Sequence, residues 1–141
     1  MIIKQLSIFL ENKSGRLTEV TEILGENDIN ISALSIADTA EYGILRLIVN
    51  HPDKAVEALK KSGFSVNLTQ VIGLIVPHEP GSLTKPLKIL SNANISIEYM
   101  YAYAFDSKAT VVIRTEEPER AIQALQEHKM ELLKASEVYE V

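Results

Sequence analysis

The sequence predicts an α+β fold made of two βαββαβ units in tandem, and two observations carry that prediction. The first is a repeat: residues 66 positions apart match without a gap, so that Gly15 to Thr18 corresponds to Gly81 to Thr84. The second is periodicity, because strand-like and helix-like apolar spacings follow one another in the same order in both halves. A constant offset through every element indicates a duplicated domain. We therefore predict domains at residues 1–70 and 71–141.

Local patterns justify each element of the first copy. Apolar side chains alternate in the first strand and then recur every three or four residues in the first helix. Pro52 suits the first turn of the second helix, and Asp53 favours the positive end of its dipole. The predicted elements are a strand from Ile3 to Leu10, a helix on which Leu17, Val20, Ile23 and Leu24 recur at helical spacing, a strand containing Ile29 and Ile31, a turn from Asp38 to Glu41, a strand from Tyr42 to Val49, a helix from Pro52 that ends near Ser62, and a strand from Phe64 to Gln70.

The second copy repeats this order. Pro86 falls inside its first helix, but the cost is small because few amides in a first turn have intrahelical partners. No spacer separates the copies, so we expect a rigid pair packed about a pseudo-two-fold axis. The predicted elements are a strand from Val71 to Val76, a loop from Pro77 to Gly81, a helix from Ser82 to Ala93, strands from Ile95 to Phe105 and from Ala109 to Thr115, a helix from Pro118 to His128, and a strand from Met130 to Tyr139.

The order βαββαβ is that of a ferredoxin-like antiparallel sheet with two helices on one face, a topology that hosts many unrelated functions. Composition narrows the choice. The 141 residues contain no cysteine, which excludes disulfides and thiolate chemistry, and carry a net charge of −5, which opposes binding to a phosphate backbone. No apolar run is long enough to span a bilayer. These features predict a soluble, cytoplasmic protein that binds neither nucleic acid nor membrane.

The loop between the first strand and first helix of each copy carries a family resemblance. Asn12 to Leu17 and His78 to Leu83 resemble the Asn/Asp/His-x-Pro-Gly-x-Leu loop of the ACT domain family, and Asp28 to Ile31 resembles its second strand. The resemblance extends over essentially the whole chain. The first loop departs from it, since Ser14 stands where the family prefers proline.

The resemblance implies a regulatory sensor that binds a free amino acid between two ACT units. Helix amides at such a loop lack intrahelical partners and favour an anion, so the loops suit a ligand carboxylate, and we expect it on the amides of Gly81 to Leu83. In the family, the second strand of the partner unit meets the ammonium group. A glycine that merely allows a tight turn is the alternative reading of each loop. The candidate residues are Asn12, Ser14, Gly15, Arg16, Leu17, Asn30, Ser32, His78, Glu79, Pro80, Gly81, Ser82, Leu83, Ser96 and Glu98.

Other features do not indicate catalysis. The three histidines lack metal-site spacing, and no nucleophile, phosphate-loop or dinucleotide motif is present, so we predict no cofactor, no metal and no enzymatic activity. Aromatic residues at Tyr99, Tyr101, Tyr103 and Phe105 line one face of a strand. We interpret them as packing between domains or in a homodimer, with a pocket wall or a platform for bases as alternatives. The competing functions are a structural or dimerisation module and a single-stranded nucleic-acid binder.

Overall fold

The computed structural model describes residues 1–11, 13–38 and 42–139. None of the helices among the described residues has the length and apolar character that a membrane crossing requires. The elements are β1 (Ile2–Glu11), α1 (Arg16–Glu26), β2 (Ile31–Asp38), β3 (Tyr42–Val49), α2 (Pro52–Lys61), β4 (Ser65–Pro77), α3 (Thr84–Asn92), β5 (Ile97–Phe105), β6 (Lys108–Thr115), α4 (Pro118–Glu127), β7 (Glu131–Leu132) and α5 (Ala135–Tyr139). Up to β7 the elements follow the predicted order, and the closing strand of the first copy and the opening strand of the second form one continuous strand, β4.

The chain divides into two compact units, and the boundary between them falls inside β4. The N-terminal unit contains Lys4–Thr69 and Ser136–Val141, and the C-terminal unit contains Met1–Ile3 and Gln70–Ala135. The short segments at the two chain ends are therefore exchanged with respect to the repeat. Lys4 shows this for the C-terminal end, because its backbone amide donates a hydrogen bond of 3.0 Å to the hydroxyl of Tyr139. The sequence-based domains at 1–70 and 71–141 do not include this exchange.

In the N-terminal unit the strand order is β2-β3-β1-β4, which is the ferredoxin-like order. Cross-strand pairs such as Leu6 with Leu47 and Ile8 with Leu45 place alternate side chains of β1 and β3 on one face. Both helices pack on that face, since their buried residues belong to the same cluster. The cluster comprises Leu6, Ile8, Leu10, Val20, Leu24, Ile29, Leu45, Leu47, Val49, Ala55, Leu59 and Val66.

The C-terminal unit repeats this arrangement. The second part of β4 pairs with β6, β6 pairs with β5, and β7 also pairs with β4. Residues of β4 and β6 such as Leu74 and Val111 are opposite each other and face α3 and α4. The core cluster comprises Ile72, Leu74, Val76, Ile89, Leu90, Ile95, Val111, Ile113, Ala121, Leu125 and Leu132. The predicted α+β class and the two βαββ patterns are confirmed.

The end of the chain differs from the prediction. The predicted strand from Met130 to Tyr139 is wrong: β7 covers two residues, and α5 follows it. Ala135 and Val138 are three residues apart, a helical spacing, and Val138 is 5% exposed. A helix, not a strand, therefore ends the described chain.

The start of α3 also differs from the prediction. The helix begins at Thr84 and not at Ser82, because turn hydrogen bonds occupy the preceding residues: the Thr84 amide donates to the Gly81 carbonyl at 3.1 Å. Pro86 consequently lies at the third helical position, where its missing amide removes no helical hydrogen bond. The predicted turn at Asp38 to Glu41 lies largely outside the described residues, and Asp38 itself ends β2.

Candidate functional site

In the C-terminal unit, six residues connect the end of β4 to α3 and form the loop that resembles the family motif. The His78 amide donates to the Ser107 carbonyl at 2.8 Å, which fixes the loop against the β5–β6 turn. The Ser82 amide donates to the Glu79 carbonyl at 3.2 Å. It is therefore used within the loop, and the amides available to an anion reduce to those of Gly81 and Leu83, for which the described residues offer no backbone acceptor.

Gly81 has φ of +83°, a conformation that favours glycine. A Cβ built on Gly81 would meet no atom within 4 Å, so the residue is required by its backbone conformation and not by a close neighbour. Pro80 precedes it and limits the conformations of the unfolded loop. The reading of this glycine as a tight turn is therefore correct for the backbone, and the space around it remains open for a ligand.

In the corresponding loop of the N-terminal unit, charged side chains of the unit itself pair with one another. Gly15 caps α1 with φ of +90° and likewise has open space around its Cβ position. Arg16 begins the helix and forms ion pairs with Glu11 at 3.5 Å and with Glu19 at 3.1 Å. Its guanidinium also lies 5.7 Å from the ring centre of Phe64. Arg16 is thus engaged on several sides by groups of its own unit.

The other described residues of this loop are open to solvent. Ser14 lies in the turn before α1, and Leu17 is 40% exposed. Asn12, a candidate ligand residue, lies outside the described residues. Glu11 contacts Lys13 at 2.9 Å, and the hydrogen bond and charge of Lys13, with a smaller effect of Arg16, lower the pKa of the Glu11 carboxyl below its ordinary value of 4.5.

The second-strand candidates have structural partners in their own units. The Asn30 backbone exchanges hydrogen bonds with Asn50, whose side-chain oxygen accepts from the Asn30 amide at 2.9 Å. Ser32 lies at the irregular start of β2 and is exposed. The counterparts in the C-terminal unit are Ser96, just before β5, and Glu98, whose carboxylate accepts from Arg114 at 3.2 Å.

A cavity of about 520 Å³ adjoins the loop of the C-terminal unit, and its size suits a small ligand. Pro80, Gly81 and Ser82 form one wall. The opposite wall is the turn between α4 and β7. The residues that line it outside the loop are Ile75, Val76, Pro77, Lys85, Lys129, Met130 and Glu131. No residue of β5 lines this cavity among the described residues, so Ser96 and Glu98 are not brought to it within their own unit.

Sequence reasoning missed the second wall of this cavity. Lys129 and Glu131 are far from the loop along the chain, but β7 pairs with β4, and this pairing places the turn before β7 beside the loop after β4. The predicted topology does indicate this proximity, because the fourth strand of a βαββαβ unit neighbours the first, so that the residues before the fourth strand lie near the loop after the first. Within the described ranges no cluster of three metal-ligating side chains occurs.

Comparisons with known proteins agree with the sequence-based resemblance. The family model described as an ACT domain pair matches residues 1–141. A crystal structure of a protein from Bacteroides thetaiotaomicron is 54% identical, with 100% of this chain and 98% of that chain covered and a TM-score of 0.96. The ligand-free regulatory subunit of aspartate kinase from Thermus thermophilus is 17% identical, with 88% and 91% covered and a TM-score of 0.67.

The regulatory subunit of aspartate kinase from Thermus flavus is similarly related. It is 16% identical, with 90% of this chain and 94% of that chain covered and a TM-score of 0.64. At this level of identity the two kinase subunits show a shared fold. The comparison with curated proteins gave no match.

Proposed function

Because this chain belongs to the family of ACT domain pairs over its whole length, we propose that it is a non-catalytic regulatory sensor of a free amino acid. ACT domains generally bind amino acids in regulatory roles. In this proposal the bound state is passed to a target enzyme or another regulator. The regulatory subunits of aspartate kinase, which share the fold, are examples of a separate chain with such a role.

The observation that carries this proposal is the cavity beside Gly81, which joins an open loop to the N-terminal end of α3. The α-carboxylate of an amino acid would accept hydrogen bonds from the amides of Gly81 and Leu83, and the dipole of the nine-residue helix favours a negative charge there. In the family, the second strand of another ACT unit meets the ammonium group. The second-strand residues to which we assign this role are Asn30, Ser32, Ser96 and Glu98.

We favour the Gly81 loop over the Gly15 loop. The cavity at the first loop measures about 210 Å³, less than half the volume of the second, and Arg16 beside it is already paired with two carboxylates. A ligand carboxylate would have to displace those contacts. Pro80 also reduces the ordering cost of the second loop, whereas Ser14 in the first does not.

A structural or dimerisation module is the second candidate, and one surface favours it. Tyr103 is 46% exposed and Phe105 is 82% exposed on the sheet face away from α3 and α4. Large exposed apolar side chains on one strand are typical of a protein–protein contact. We therefore expect a homodimer, which analytical ultracentrifugation of the purified chain would detect. A chain that dimerises and binds no amino acid would have the second function alone.

A melting screen of the full chain against the common L-amino acids tests the sensor hypothesis. A ligand at about 100 times its dissociation constant should stabilise the fold by about 2.7 kcal/mol, which is several degrees in melting temperature. Two matched variants locate the site: Gly81→Asn adds a side chain in a conformation that asparagine tolerates, and Gly15→Asn does the same at the other loop. Gly81→Asn should lose the ligand-induced shift and Gly15→Asn should keep it. If no amino acid moves the melting curve at millimolar concentration, the sensor hypothesis is wrong.

A further inference from the structure

The two loops have equivalent cavities, and the repeat aligns their walls residue by residue. Shifted by 66 positions, six residues that line the cavity of the N-terminal unit fall on residues that line the cavity of the C-terminal unit. These pairs are Phe9 with Ile75, Glu11 with Pro77, Arg16 with Ser82, Gly63 with Lys129, Phe64 with Met130, and Ser65 with Glu131. The two cavities therefore derive from one duplicated site, and they can be compared position by position.

The charges of the two cavities differ. In the N-terminal unit, Arg16 and Glu11 form an ion pair with each other, and Glu19 pairs with Arg16 from the next turn of α1. In the C-terminal unit, Glu19 is replaced by Lys85, a reversal of charge at the same helical position. Lys129 adds a second ammonium group where the first copy has a glycine.

Both lysines are available to a ligand. The side-chain ammonium groups of Lys85 and Lys129 have no hydrogen-bond or ion-pair partner in the part of the chain that the structure describes. Glu131 lines the same cavity, and among the described residues its carboxylate has one ion-pair contact, at 3.9 Å to Lys108. The cavity thus combines two positive charges with one negative charge. An amino acid with an acidic side chain carries the complementary set, with two carboxylates and one ammonium group.

Lys129 also has an unusual backbone conformation. Its φ is +58°, and among the described non-glycine residues with positive φ the others are all Asn or Asp, which tolerate that region. The equivalent residue of the first copy is Gly63, with φ of +88°. A long side chain has therefore been placed where glycine fits more easily. The conformation itself belongs to the end of α4, since Lys129 follows the C-cap residue His128, and the substitution places an ammonium group in the cavity lining.

From these observations we infer that the cavity of the C-terminal unit selects an amino acid with an acidic side chain. Lys85 and Lys129 hold the side-chain carboxylate, and Glu131 supplies one acceptor for the ammonium group, in addition to those that the proposed function takes from the second strand of another ACT unit. The α-carboxylate remains at the loop amides, so this inference rests on the proposed sensor function and adds the class of ligand. The cavity of the N-terminal unit, with its own internal ion pair, does not share this selectivity.

Isothermal titration of the full chain with matched ligands tests the inference. L-aspartate and L-glutamate should bind at least about tenfold more tightly than L-asparagine and L-glutamine, which have nearly the same shape but no side-chain charge. The difference should shrink as ionic strength rises, because exposed charges are screened. Succinate, which lacks the ammonium group, should bind more weakly than L-aspartate.

Three variants separate the lysines from general charge effects. Lys85→Ala and Lys129→Gly should each weaken binding of the acidic amino acids by roughly fivefold and weaken binding of the two amides by less, because an amide oxygen carries no net charge. Lys129→Gly restores the residue of the first copy and should fold at least as stably as the parent chain. Lys88→Ala, an exposed position on α3 that does not line the cavity, is the control and should change neither affinity.

The possible results distinguish the inference from the function on which it rests. If a neutral or basic amino acid binds more tightly than the acidic ones, the sensor function stands and the acidic selectivity is wrong. If inorganic phosphate or succinate binds through the two lysines while L-aspartate and L-glutamate do not, the cavity is a general anion site and the inference fails. If no amino acid binds, both the function and the inference are wrong.

Discussion

Gly73 offers a direct test of how closely the C-terminal end of the chain packs on β4. A Cβ atom added at Gly73 would lie 2.8 Å from the Cβ of Leu133 and 3.0 Å from its Cδ2. The first of these atoms is attached to the backbone and cannot rotate away. The Leu133 amide also donates to the Gly73 carbonyl at 2.8 Å, so the segment that would have to move is held by a hydrogen bond to the same residue.

The expected cost of Gly73→Ala follows from two opposing effects. Forcing an extra methyl group into a packed site costs about 1–3 kcal/mol, whereas replacing glycine restricts the unfolded chain and returns about 0.4–1 kcal/mol. The net loss in the free energy of unfolding is then roughly 1–2 kcal/mol. For a chain of this size that corresponds to a melting temperature lower by about 3–8 °C.

Urea unfolding of the variant and the parent chain measures this loss. Gly25→Ala is the matched control, because Gly25 lies inside α1 and a Cβ there would meet nothing within 4 Å; it should stabilise the chain by about 0.5–1 kcal/mol. In the double variant Gly73→Ala/Leu133→Gly the Cβ of residue 133 is absent, so the clash is removed. The loss of stability should then be smaller than the sum of the losses in the two single variants. A Gly73→Ala chain as stable as the parent would refute the packing argument.

Three further results are expected. Thr115→Val should raise the free energy of unfolding by about 1–2 kcal/mol in urea denaturation, because the Thr115 hydroxyl is buried without a partner among the described residues and Val49 occupies the equivalent position. The pKa of the Glu11 carboxyl, measured by NMR, should lie below 4.5 and should rise in Lys13→Ala. The stabilisation that this lowered pKa provides is present at pH values above the pKa of the unfolded chain, and it is lost as the pH falls through the pKa of the folded chain. The purified chain should turn over no amino-acid substrate in coupled assays, and activity that survives repurification and is abolished by a change in either loop would contradict the assignment as a sensor.

The repeat and the local periodicities were sufficient for most of the fold. Strand β3 was predicted with its observed ends, and Pro52 and Pro118 begin their helices as expected. These elements have strong local signals, because a helix start or an apolar run depends on neighbouring residues. The end of the chain was predicted wrongly, since α5 is only five residues long and its helical spacing is too short to outweigh a strand-like reading.

The candidate site was predictable only in part. Gly81 and Pro80 stand next to each other in the sequence, so the loop could be recognised as a local motif. Lys129 comes to the same cavity through the pairing of β7 with β4, which joins residues as distant along the chain as Leu74 and Leu132 and which no local pattern encodes. The hydrogen bond from the Ser82 amide to the Glu79 carbonyl likewise depends on the conformation of the loop, which the residue types do not specify.

The exchange of chain ends has a consequence for how this gene can be divided. A fragment that encodes the first repeat alone carries Ile3, which is fully buried in the C-terminal unit, and lacks Val138, which is 5% exposed and belongs to the N-terminal unit. A polypeptide that contains one repeat alone would therefore expose an apolar side chain that is buried in the full chain. It would also lack a side chain that the other repeat contributes to its core. The repeat in the sequence and the compact unit in the structure therefore have different boundaries.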